Sequence, residues 1–141
     1  MNLSQIIKDT EQLGITVLFC SIPKIKGRFD NTLGKPCIYI DKELSDIEKV
    51  NIILHEKSHY LRLDQNNSLI YIPTYSHHIE TRAEKDRISD FLSLIDAEYP
   101  IDESFNYIEY MKHANIPVQF ENFIKEKAKE LYNNNKHRNI I

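Results

Sequence analysis

Glycine, proline and cysteine are scarce in this chain of 141 residues. Three glycines and five prolines are too few for a collagen-like or low-complexity chain. The two cysteines, Cys20 and Cys37, form no Cys-x-x-Cys pair, and we expect them to be free buried thiols rather than a disulfide. A chain of this length is typical of one domain around one hydrophobic core.

We also expect no targeting segment, and the chain has no excess of positive charge. The first residues lack a basic stretch followed by an apolar region, and no apolar run approaches the roughly 20 residues that cross a bilayer. With 18 basic and 21 acidic side chains, the net charge of -3 provides no field that attracts nucleic acid or anionic lipid. We therefore expect a cytoplasmic protein that binds neither nucleic acid directly nor a membrane.

Changes in hydrophobic period predict a small sheet followed by helices. A helical pattern ends at Gly14, and three short runs that favour strands follow at 15–20, 27–30 and 37–40. Ser45-x-x-Glu48 then has the form of a capping box, in which each side chain satisfies a backbone N–H at a helix start. A helix is therefore predicted to begin near Asp46.

The remainder of the chain is predicted to be mostly helical. We expect a loop with a short edge strand at about 64–77 and a two-faced helix at about 78–97. Two packing helices should follow at about 101–133, and a polar tail that frays at 134–141. We expect a single domain over 1–141 with its core at about 10–97.

The residues best suited to bind a metal and catalyse a reaction lie in His55-Glu56-Lys57-Ser58-His59, on the helix that begins near Asp46. His-x-x-x-His places two imidazoles one turn apart, close enough to bind one ion at about 2.0–2.1 Å. Glu56 points about 100° away from that axis, where it can deprotonate a water without being a ligand. Both histidines face away from the apolar stripe of the helix, which favours a metal-dependent hydrolase over two surface histidines on an ordinary helix.

A catalytic zinc needs a third protein ligand, and two glutamates of the next helix are candidates. Glu80 and Glu84 lie on its apolar side, where carboxylates are costly unless they are paired or bind a metal. Arg87 reaches Glu84 more easily because the two are three residues apart. This spacing favours Glu80 as the ligand and leaves Glu84 as the alternative.

Four further side chains are candidates for stabilising an oxyanion. His77 and His78 precede the second helix, and either is also a possible third ligand. Tyr60 and Tyr75 are phenols near the motif, although packing is the default role for each of the eight tyrosines.

His55-Glu56-x-x-His59, followed some twenty residues later by Glu80-Thr81-Arg82-Ala83, resembles the ImmA/IrrE family of small metallopeptidases, which show a Glu-x-x-Ala pattern there. The resemblance covers roughly residues 10–97. It implies an α+β, zincin-like fold with a short, mostly antiparallel sheet of about three strands packed on the HExxH helix. A second ligand helix and two C-terminal packing helices would follow.

The resemblance also implies a ligand set and a substrate class. Zinc would be bound by His55, His59 and Glu80, with Glu56 as the catalytic base. Members of the family are commonly encoded on phages and integrative elements, where they cleave or inactivate a partner repressor. The expected function is therefore a zinc-dependent endopeptidase that acts on a protein partner, with an anti-repressor role.

Two other functions compete with this one. The first is a non-proteolytic module that binds a repressor and uses zinc only to hold its fold. The second is a different HExxH hydrolase such as a peptide deformylase, which takes a cysteine as third ligand from a Glu-Gly-Cys segment. Cys37 lies instead in Lys35-Pro36-Cys37-Ile38, so the second alternative fits less well.

Overall fold

The computed structural model describes residues 2–22, 24–31, 34–62 and 73–141, without the side chains of 73–75. These residues form two compact units, Asn2–Arg87 and Ile88–Ile141. That both belong to a single domain stays a prediction. The fold is α+β, as predicted. None of the helices that the structure describes is long and apolar enough to cross a membrane.

The helices and strands occur in the predicted order. They are α1 Leu3–Gln12, β1 Thr16–Cys20, β2 Gly27–Asp30, β3 Cys37–Asp41, α2 Asp46–Leu61, α3 Pro73–Glu98, α4 Tyr107–His113, a short 3₁₀ helix Val118–Phe120 and α5 Glu121–His137.

The sheet has the three predicted strands in the order β1-β3-β2. β2 is antiparallel to β3, with Phe29 opposite Ile38. β1 is parallel to β3, with Val17 opposite Ile38, so the sheet is mixed rather than mostly antiparallel. The central strand is the most buried one, since Ile38 and Ile40 are fully inaccessible to solvent. β3 also has a paired strand at each of its edges, which agrees with its burial.

The core of the first unit lies between the sheet and α2. Helix α2 contacts β2 and β3, and α1 contacts both α2 and β1. The buried apolar residues of α2 are Val50, Ile53 and Leu54. Each such side chain contributes about 1.5–3 kcal/mol when it is fully buried. This packing fixes the helix that carries the HExxH sequence.

The start of α2 is capped as predicted, but the burial of its polar side differs from the prediction. The Ser45 hydroxyl accepts a hydrogen bond from the Glu48 backbone N–H at 3.2 Å. Asn51, Ser58 and His59 are all buried, whereas the apolar Leu61 is 56% exposed. Part of the side opposite the apolar stripe is covered by α3, which contacts Ser58 through Asp86 and His59 through Glu80.

Helix α3 starts earlier than the pattern indicated. It begins at Pro73 rather than near 78, so residues 73–77 of the predicted loop are helical. Proline is favoured in the first turn of a helix because its missing N–H has no partner there. The short edge strand predicted near 69–72 lies outside the described residues.

A hydrogen bond and an ion pair also join α3 to the C-terminal part of α2. Asp86 accepts a hydrogen bond from the Ser58 hydroxyl at 2.6 Å, and it accepts two from the Arg62 guanidinium at 2.6 and 3.0 Å. Burial by itself raises the pKa of Asp86, but these hydrogen bonds outweigh it and hold the pKa below its ordinary value. We name these three residues the Asp86 clamp.

In the second unit the first closing helix is shorter than predicted. Residues 101–106 are not helical, and α4 begins only at Tyr107. The Asp102 carboxylate accepts the Ser104 N–H at 2.8 Å, and the Asn106 side chain accepts the Glu109 N–H at 3.1 Å. Such local side-chain bonds compete with the helical backbone and move its start.

The polar tail predicted at 134–141 is helical as far as His137. Asn135 is only 4% exposed. Its amide donates to the Asp96 carboxylate at 2.6 Å and to the Ile101 carbonyl at 3.1 Å. These distant partners extend α5 through a segment whose composition alone indicates fraying.

Gly27 provides a test of the sheet–helix packing. A Cβ atom at this position would overlap the Cγ2 methyl of Ile52 on α2. Gly27→Ala should therefore lower the free energy of unfolding by about 1–3 kcal/mol, as overpacking does elsewhere. Urea unfolding measures this free energy. The same change is then made in the Ile52→Ala variant, which lacks the opposing methyl group. An equal cost of Gly27→Ala in both backgrounds would contradict this explanation.

The Asp86 clamp should contribute stability that depends on pH. Because folding lowers the pKa of Asp86, its contribution is complete above the unfolded pKa of about 4 and disappears as the pH falls through the lower folded value. Asp86→Asn should cost on the order of 1 kcal/mol at pH 7. Thermal unfolding from pH 7 to about pH 3 should show the difference shrinking. The control is Glu126→Gln, an exposed carboxylate of α5. A difference for Asp86→Asn that stays constant over this range would refute the assignment.

Candidate metal centre

His55 and His59 lie one turn apart on α2, as the spacing predicts. Their Nε2 atoms are 3.2 Å apart, and the two rings meet edge to face with centroids 4.9 Å apart. His59 is only 6% exposed. The two rings therefore present their Nε2 atoms to one shared point.

Glu80 brings a carboxylate to the same point from α3. Its Oε2 is 3.1 Å from Nε2 of His55, and its Oε1 is 3.0 Å from Nε2 of His59. One donor atom from each of the three residues lies within 4.8 Å of the others. The arrangement is consistent with the zincin-like HExxH fold that the sequence indicated.

These three donors fit a metal ion in both number and spacing. Ligands about 2.0–2.1 Å from one tetrahedral ion lie about 3.3 Å from each other. The two Nε2 atoms are 3.2 Å apart, close to this value, and each carboxylate oxygen of Glu80 lies 3.0–3.1 Å from one of them. Two imidazole nitrogens and a carboxylate oxygen also form the donor set of many catalytic zinc sites.

Glu84, the alternative third ligand, faces a different atom. Its Oε1 lies 2.8 Å from Nδ1 of His55, on the opposite edge of the ring from Glu80. Its Oε2 accepts from Arg87 at 2.7 and 3.1 Å, the pair that the spacing predicted. Of the two glutamates, therefore, Glu80 is the one that meets the Nε2 atoms.

The two glutamates control the charge of His55. Burial by itself lowers the pKa of His55, but the contacts with Glu80 and Glu84 outweigh it and raise the pKa to about 9. The same contacts with His55 and His59 hold the pKa of Glu80 well below its ordinary value. In the metal-free protein the cluster is therefore a set of mutually neutralising charges.

Glu56 has a different environment from the other carboxylates of the cluster. Burial raises the pKa of Glu56, while the nearby His55 and His59 imidazoles lower it by a smaller amount. A raised pKa brings a carboxylate closer to the range in which it both accepts and returns a proton near neutral pH.

The structure describes the side chains of three of the four candidates for oxyanion stabilisation. His77 and His78 are exposed on the first turns of α3, with ring centroids 6.4 Å apart. The Tyr60 ring packs near Phe29, with centroids 6.0 Å apart. The Tyr75 side chain lies outside the described residues.

Two contacts between α2 and α3 were not predicted from the sequence. These are the pairing of Glu84 with Nδ1 of His55 and the Asp86 clamp. The spacing of the glutamates could have indicated the contact of Glu84 with His55. Glu80 and Glu84 are four residues apart, as the two histidines are, and two such pairs can meet along facing helices.

Comparison with protein families agrees with this geometry. The family model of the IrrE N-terminal-like domain, a peptidase family designated M78, matches residues 10–109. Comparisons with curated proteins and with solved structures found no significant match. The family match spans well over half of the chain and contains the three converging donors. The chain therefore belongs to the M78 family of metallopeptidases, the ImmA/IrrE family.

Proposed function

We propose that this metallopeptidase is a zinc-dependent endopeptidase, with His55, His59 and Glu80 as the metal ligands and Glu56 as the general base. The observation that carries the proposal is the convergence of three donor atoms within 4.8 Å beside a carboxylate whose pKa is raised by burial. Zinc would supply Lewis acidity, which lowers the pKa of a water and polarises a carbonyl group.

The side chains of the protein would transfer the proton and hold the ion. Glu56 accepts a proton from the attacking water and then delivers it to the leaving amine. His55, His59 and Glu80 would hold the ion, and Glu56 would lie outside the ligand set. The same carboxylate thus serves as base and then as acid, which requires its pKa to lie above that of an exposed glutamate.

Strand β2 is the element best placed to bind an extended substrate. β1 and β2 are the two edge strands of the described sheet, so each has a hydrogen-bonded neighbour on one side only. Phe29 of β2 lies beside Tyr60, the residue that follows His59. A peptide paired with this edge would be held by main-chain hydrogen bonds close to the metal ligands.

The alternative of a structural zinc site is less well supported. Structural sites are closed by four protein ligands, whereas catalytic sites have three and an open position. Over residues 2–22, 24–31, 34–62 and 76–141, the only cluster of suitable side chains has three members. This count favours a catalytic centre over a binding module held together by zinc.

Glu56→Gln tests the proposed mechanism. The amide cannot accept the proton, so hydrolysis of fluorescently labelled casein should fall by about 10²–10⁴-fold. Zinc content, measured by elemental analysis, should remain at the wild-type level because Glu56 is not a ligand.

Two variants serve as comparisons for this experiment. Glu80→Ala should lose zinc together with activity, whereas Glu126→Ala, an exposed glutamate of α5, should lose neither. Cleavage that persists in Glu56→Gln would refute the role of Glu56. Full zinc binding by Glu80→Ala would refute the ligand set.

We further propose a transcriptional repressor as the protein substrate. The support for this is the family resemblance, since ImmA/IrrE members act on partner repressors. A cytoplasmic location, which such a substrate requires, also stays a prediction.

Co-expression with repressors of the same genome tests the choice of substrate. A cognate repressor should be cleaved at one bond in the presence of the wild-type protein and stay intact with Glu56→Gln, as measured by mass spectrometry of the fragments. Derepression of a reporter by Glu56→Gln without any cleavage would instead establish the non-proteolytic alternative.

A further inference from the structure

Glu84 is the second carboxylate of α3 at the metal centre, and it contacts the opposite side of His55 from Glu80. Its Oε1 lies 2.8 Å from Nδ1 of His55, whereas Glu80 lies 3.1 Å from Nε2. The side chain of Glu84 is 18% exposed and that of Glu80 is 59% exposed. The more buried carboxylate is therefore the one that lies behind the ring.

The chemistry of imidazole gives this contact a specific consequence. A neutral imidazole carries one N–H, so a ring that binds a metal through Nε2 carries its proton on Nδ1. Nδ1 of His55 is buried, and no well-aligned hydrogen bond reaches it from the described residues. Glu84 lies within hydrogen-bonding distance, although the N–H is not directed straight at it. It is the available acceptor for that proton.

Arg87 fixes the orientation of Glu84. Its guanidinium donates to Oε2 at 2.7 and 3.1 Å, and its side chain is only 8% exposed. One oxygen of Glu84 is thus held by Arg87 and the other faces His55. Such a carboxylate is oriented before any ion binds, which is the arrangement that supports metal-binding histidines elsewhere.

We propose that Glu84 is a positioning residue that holds His55 in the tautomer protonated on Nδ1, with Nε2 directed at the metal. Arg87 in turn holds Glu84. This inference rests on the proposed function, because it requires an ion bound by His55, His59 and Glu80.

A purely structural role for Glu84 is the competing explanation, and Asp86 is the matched control for it. Asp86 lies two residues further along α3 and also pairs with α2, through Ser58 and Arg62. It contacts neither histidine in these pairs. Loss of Asp86 should lower the stability of the fold, leave Glu80 and Glu84 in place and leave the tautomer of His55 unchanged.

The experiment measures the dissociation constant of Zn²⁺ by competition with a chromophoric chelator. Glu84→Ala should weaken binding by about 10–100-fold, the effect expected for loss of such a supporting carboxylate. Glu84→Gln, which preserves shape but not charge, should lie between Glu84→Ala and the wild type. Asp86→Asn should lower the melting temperature of the metal-free protein and bind Zn²⁺ with nearly wild-type affinity.

A second measurement does not depend on the stability of any variant. Long-range ¹H–¹⁵N correlation spectra of the zinc-loaded wild type should show His55 protonated on Nδ1 and coordinated through Nε2. Coordination through Nδ1 would overturn the inference. Wild-type affinity in both Glu84 variants, or equal losses in Glu84→Ala and Asp86→Asn, would also overturn it.

The outcomes separate this inference from the proposed function. A wild-type protein that binds no zinc would overturn both. A wild-type protein that binds zinc and cleaves protein, with unchanged affinity in the Glu84 variants, would overturn the role of Glu84 alone.

Discussion

The docking of α3 against α2 is the constraint on which the metal centre depends. Helix α2 by itself supplies two imidazoles, but the third donor, Glu80, comes from a different helix. Sites of this kind need donors placed within about 0.5 Å, so a small slip of one helix along the other would separate Glu80 from the Nε2 atoms.

The same docking brings several ionisable side chains together in a partly buried place, where they neutralise one another's charge. Isolated charges are costly to bury, and here the carboxylates and imidazoles neutralise one another. The pKa of His55 rises to about 9 for this reason, while that of Glu80 falls. A divalent cation among these donors would replace the proton on Nε2, so protonation and metal binding compete for one place. The donor side chains are therefore already close together in the metal-free protein, and an ion must displace a proton from Nε2 to bind them.

Local signals predicted the fold well where they act within a few residues. The strands and the start of α2 follow from short β-forming runs and from the capping box of Ser45, because neighbouring residues decide both. The predicted ends of helices were wrong where a side-chain hydrogen bond moved the start or the end of the helix. Asn106 delays the start of α4 through a side-chain cap, and Asn135 extends α5 through its contact with Asp96. The parallel pairing of β1 with β3 likewise depends on distant parts of the chain.

By itself the sequence determined the relation of His55, Glu56 and His59, because residues four apart on a helix share one face whatever surrounds them. It also limited the carboxylate partner to Glu80 or Glu84, which share an arc of α3. Only the tertiary structure decided which of these meets Nε2 and which meets Nδ1. The reason is that the two lie one turn apart on the same side of α3, so the position of α3 along α2 selects between them.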